Sequence, residues 1–157
     1  MAKEAGVTSG AFYAHFRSKA EAFRETVEVG MQELETAIRA LRAEAPTSWI
    51  ERFVDFYLGE RRTCAAADTC ALQSLTGEVA RADLETRDAF ETRLEAVIAA
   101  AAEGMPAADA RSRRDQAIVL LTLLSGGVSL ARAVNNPELS QEIATAIRAS
   151  LKSLGTL

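Results

Sequence analysis

Apolar residues recur at intervals of three and four through almost the whole chain, and no run of strict alternation marks a strand. Phe23, Val27, Leu34, Ile38 and Leu41 form one such stripe, with Met31 filling its gap of seven. Ser18 followed by Glu21 predicts a capped start for this long helix. Pro46 ends it, and Ser48 with Glu51 repeats the capping signature ahead of a helix carrying Trp49, Phe53, Phe56 and Tyr57. Thr63 to Thr69 is small and polar, and reads as a loop or a poorly formed helix end. A short helix is expected from about Cys70 to Arg81, and a longer one from Asp83 to Gly104. Pro106 and Asp109 introduce the most apolar helix, Arg111 to Val134. Asn135-Asn136-Pro137 supplies a stop, a cap and a first-turn proline for the last helix. Its stripe is Leu139, Ile143, Ile147, Leu151 and Leu154. The pattern predicts an all-α chain.

The N-terminal end has a different rhythm. Ala2 to Ala5 reads as the end of a helix closed by Gly6, whose missing Cβ suits a left-handed cap. Thr8 or Ser9 caps a short helix running through Phe16, with Phe12 and Phe16 on its buried face. From Thr8 to Ala20 there is no acidic residue, while Tyr13, His15, Arg17 and Lys19 offer donors. A donor-rich, acid-free surface on a short exposed helix suits a phosphate backbone.

Composition narrows the function classes. The 157 residues are 48% hydrophobic and 25% charged, as in a globular protein that buries a core without staples. A net charge of −4 argues against a protein coated along its length by nucleic acid, yet leaves room for a local basic face. Cys64 and Cys70 read as two reduced, partly buried thiols, with a redox pair as the alternative. A single histidine leaves no evident metal site, and nothing calls for a cofactor. No nucleophile with a base and no glycine-rich phosphate loop appears, so no catalytic residue is assigned and an enzyme is not expected. No apolar run approaches the ~18 residues of a membrane span and no leader pattern opens the chain, so a cytoplasmic protein with no membrane partner is expected.

The stretch from Ala5 to Lys19, AGVTSGAFYAHFRSK, resembles the TetR family of transcriptional regulators, whose pattern is A-G-V-[ST], a small-residue start, and Y-x-H-F-x-S-K leading into a long helix. Cys70-Ala71-Leu72 with Gly77-Glu78-Val79-Ala80 is similar, more weakly, to a subset of that family. The resemblance implies the remnant of a helix-turn-helix over residues 1–22, its first helix missing, followed by an antiparallel helical regulatory and dimerisation domain over 23–157. It implies DNA contacts from Thr8, Ser9, Gly10, Ala11, Tyr13, His15 and Lys19. Ser9, Gly10 and Ala11 would face base edges, and Tyr13, His15 and Lys19 would hold phosphates. It implies a pocket for a small hydrophobic effector, with candidate lining Trp49, Phe53, Phe56, Tyr57, Leu72, Leu75, Phe90, Leu94 and Leu123. It also implies a homodimer through the last two helices, with Leu120, Leu124, Gly126, Gly127, Ile143, Ile147 and Leu151 as interface candidates. The glycine pair admits a close helix crossing, either within the protomer or between two copies. The expected function is a ligand-responsive repressor that binds near-palindromic operator DNA as a dimer and leaves it when the effector binds. The alternative is a dimeric small-molecule-binding or interaction module that has lost DNA binding.

Overall fold

A computed structural model describes residues 16–65 and 69–153. The described residues are all-α and contain no strand. The helices are α1 (Lys19–Glu44), α2 (Trp49–Leu58), α3 (Glu60–Thr63), α4 (Ala71–Ser74), α5 (Thr76–Val79), α6 (Leu84–Ala102), α7 (Ala110–Ala133) and α8 (Pro137–Ser153). The 26-residue α1 is continuous across position 22, where the change from DNA-binding to regulatory residues was expected.

The start of α1 follows the local chemistry of its first turn. The Ser18 hydroxyl accepts the Glu21 N–H at 3.1 Å, and the Glu21 carboxylate reaches back to the Arg17 N–H at 2.6 Å. Asp83 caps α6 and Asp109 caps α7 through the N–H groups of Thr86 and Ser112, and the Asn136 side chain caps α8 through the N–H of Glu138. The second expected capping box is not formed. Ser48 makes no side-chain cap bond, since its ψ of 10° departs from the extended backbone of a capping residue, and its N–H, which Glu51 would accept, is bonded to the Ala45 carbonyl at 3.1 Å. The aromatic helix also stops early, at Gly59, and a separate turn of helix follows as α3. The single helix expected between Cys70 and Arg81 is two one-turn helices that meet at Leu75. Thr76 turns its hydroxyl onto the Leu72 carbonyl there, and Gly77 follows, so the local chemistry favours a break.

The core forms where the stripes meet. Val27, Met31, Leu34 and Ile38 bury one face of α1, largely against α6 with its Val97, Ile98, Ala100 and Ala101. Helix α7 contributes Ala117, Leu120, Leu121, Leu124 and Val128, and packs against α6 and α8 as well as α2, α3 and α4. Trp49 seals the far end, its indole N–H donating to the Gly104 carbonyl at 3.1 Å. Arg42 braces the same end by bonding the Ala100 carbonyl and the Glu103 carboxylate, both at 2.8 Å. By length and composition α7 is apolar enough to cross a membrane, contrary to the expectation from uninterrupted apolar runs. Thr122 and Ser125 interrupt the run without making the helix polar, and its buried leucines belong to this core.

The two aspartate caps give a pH prediction. The Asp83 carboxyl is held below its ordinary pKa first by the Thr86 backbone N–H, and that of Asp109 first by the Ser112 hydroxyl. Their stabilisation is therefore present above the ordinary aspartate value of about 3.9, and is lost as pH falls through the lowered folded-state value. Asp109→Ala should melt below the native protein at neutral pH, and the gap should close once the native carboxylate is protonated. Thermal unfolding followed by circular dichroism from neutral to strongly acidic pH measures that gap.

Candidate functional site

Of the expected DNA contacts, Thr8, Ser9, Gly10, Ala11, Tyr13 and His15 lie outside the described residues. Lys19 is the first residue of α1 and is exposed, as a phosphate contact requires. Phe16, expected in the core of the N-terminal unit, is half-buried and lines a groove on the helical body.

That groove, of about 960 Å³, runs between α1, α2 and the α3–α4 region. Its floor is Leu34, Phe53, Tyr57 and Ala71, all buried. The rings of Phe53 and Tyr57 lie 4.9 Å apart, and Phe56 meets Tyr57 edge-on at 6.4 Å. Phe56 faces the opening, 37% exposed, and the Arg61 guanidinium lies over its ring at 4.7 Å. The Tyr57 hydroxyl donates to the Cys70 sulfur at 2.7 Å. Burial first, and then the neighbouring thiol, raise the Tyr57 pKa well above that of an ordinary phenol, so the ring presents a neutral donor. Gly30 is where α1 and α4 touch, since a Cβ there would stand 2.6 Å from that of Ala71.

The sequence reading found part of this wall. Of the expected pocket residues, Phe53, Phe56, Tyr57 and Leu75 line the groove. Trp49 does not, being turned toward Gly104 at a separate hollow of about 440 Å³. Leu72 is buried in the core, and Phe90, Leu94 and Leu123 pack against that core away from the groove. Helix periodicity marks them as apolar without saying which neighbour they meet. Missed altogether was the α1 wall, where Glu25, Val29 and Glu33 recur every four residues beside the buried stripe. Val29, 55% exposed in an otherwise polar setting, was the available signal.

The interface candidates divide in the same way. Leu120, Leu124 and Leu151 are at most 1% exposed and Gly127 is buried, all within the protomer. Their burial is accounted for by contacts within the protomer. Gly127 has a packing reason inside the chain, because a Cβ there would fall 1.8 Å from the Ile147 Cδ1. Ile143 and Ile147 are half-buried. Gly126 is exposed, with nothing near its missing Cβ. It lies on an outward stripe of α7 with Ile118, Thr122 and Ser129, at spacings of four, four and three. Val119 and Leu130 flank that stripe at 38% and 63% exposure, and Leu139 on α8 is 42% exposed.

Residues 1–26 match the family model described as bacterial regulatory proteins, tetR family. The match overlaps the first two turns of α1. No curated protein matches the chain.

Proposed function

We propose, from the match of residues 1–26 to the tetR family of bacterial regulatory proteins, that the chain is a member of that family and a dimeric, ligand-responsive repressor that binds near-palindromic DNA in the cytoplasm. The family's members are DNA-binding regulators of transcription rather than enzymes. The observation that carries the finer reading is the continuity of α1. The helix begins inside the matched segment and, about 39 Å long at 1.5 Å per residue, goes on to form one wall of the groove. A ligand that prefers one placement of that wall shifts the population of the DNA-facing end by its differential affinity. Two protomers would present two recognition helices roughly 34–36 Å apart, one turn of duplex. The DNA-binding unit over residues 1–22 and the regulatory body over 23–157 are the proposed division of labour.

Within this reading Thr8 caps the recognition helix, Ser9, Gly10 and Ala11 face base edges, and Tyr13, His15 and Lys19 grip phosphates. Small base-facing side chains leave much of the selectivity to DNA shape. Lys19→Ala should weaken binding to all duplexes about equally and reduce the salt slope by about 1, since a phosphate carries no sequence information. Ser9→Ala should instead change the ranking of sites. Fluorescence anisotropy across a panel of duplexes and salt concentrations reads both. A Lys19→Ala protein with altered site preference and undiminished overall affinity would overturn its role.

The outward stripe of α7, centred on Thr122 and Gly126, is the proposed dimer surface. Small residues flanked by exposed Ile118, Val119 and Leu130 let a second helix approach closely and bury apolar area.

A further inference from the structure

Effector chemistry is legible in how the charges around the groove are engaged. On the α2–α3 side are two arginines. Arg52 is held by the Glu44 carboxylate at 2.7 Å, and Arg61 lies against the face of Phe56. On the α1 side are Glu25 and Glu33, eight residues apart on one helix face with Val29 between them. Neither glutamate makes an ion pair among the described residues. An anion entering the groove therefore meets one arginine neutralised by a carboxylate and one stacked on a ring, whereas a cation meets two carboxylates without an ion pair. The aromatic wall points the same way, because a ring face attracts positive charge and Phe56 already accepts a guanidinium. The apolar floor of Leu34, Phe53 and Tyr57 excludes a small hydrated cation, which would lose water without replacement.

We propose that the effector is an amphipathic organic cation, an apolar or aromatic body bearing a positive charge that lies between the Glu25–Glu33 edge and the Phe53–Phe56 wall. This rests on the groove being the effector site. Its apolar body would cover Val29 and Phe56, the two exposed large apolar side chains of the groove. The charge would sit at the rim, where solvent screens it, so affinity should fall with added salt.

The test uses the full chain and three probes. N-phenyl-1-naphthylamine, uncharged and fluorescent in apolar surroundings, reports on the groove itself. Tetraphenylphosphonium and tetraphenylborate share shape and differ in the sign of their charge, and each is titrated as a competitor. The ratio of their affinities is compared between the native protein and the Glu25→Gln/Glu33→Gln variant, which cancels their intrinsic difference in hydration. The preference for the cation should fall by about fivefold in the variant, the scale of two exposed carboxylates. Binding of the neutral probe should weaken in Phe56→Ala. A neutral probe that binds and responds to Phe56→Ala, with an affinity ratio unchanged within about twofold, overturns the cation proposal and leaves the groove reading standing. A neutral probe that does not bind, or is indifferent to Phe56→Ala, removes the groove reading and this inference with it.

Discussion

Replacing Leu124 with arginine is expected to unfold the helical body. Leu124 is 1% exposed at the junction of α7 with its neighbours, so the new guanidinium would be desolvated without a partner. An unpaired buried charge costs several kcal/mol after relaxation, a large fraction of the roughly 5–15 kcal/mol that holds a typical domain together. Leu124→Ala, which leaves a void without a charge, should lower stability by about 2–5 kcal/mol and keep a cooperative transition. Urea denaturation followed by circular dichroism separates these outcomes. A folded Leu124→Arg protein with near-native stability would show that α7 is not packed as described.

Two residues along the same helix, arginine should have the opposite effect on the fold. Gly126 is exposed, nothing lies within 4 Å of its missing Cβ, and glycine is a poor helix former. Gly126→Arg should leave the protomer as stable as before, or more stable by up to about 1 kcal/mol. On the proposed dimer surface, however, two copies of the new charge would meet in an apolar contact. Association should weaken by about a hundredfold or more, equivalent to roughly 3 kcal/mol. Sedimentation equilibrium gives the dissociation constant, and circular dichroism checks the helices. An unchanged dimer would move the interface away from this face of α7. The contrast between positions 124 and 126 separates a core leucine from a surface glycine within one turn.

That contrast also shows where sequence reasoning reaches its limit. Caps at Ser18, Asp83, Asp109 and Asn136 are legible because the partner N–H lies two or three residues away. Ser48 carries the same signature and fails, because the turn after Pro46 claims its backbone first. Core stripes on α1 and α7 are legible from spacing alone. What spacing does not contain is the identity of the opposing helix. Gly126 and Gly127 look alike in sequence, yet one meets Ile147 and the other meets open space. Trp49 and Phe53, one turn apart on α2, line different hollows, the first beside Gly104 and the C-terminal end of α1, the second beside the middle of α1. Glu25 and Glu33 become groove residues only once α2 and α4 are placed beside α1. The N-terminal motif differs from all of these, since its meaning lies in a residue pattern recognisable without tertiary contacts, and the family match falls on it.

Selection of duplexes from a random library, run on the polypeptide as its gene encodes it, decides whether the protein recognises a specific site. The sequences recovered are aligned, and the tightest is titrated by anisotropy at several salt concentrations. A dimeric repressor should yield convergence on a near-palindrome with half-sites about 10 base pairs apart, two protomers per duplex and an affinity that falls steeply with salt. Failure of the library to converge, or a selected duplex bound no more tightly than a scrambled one, would contradict that function.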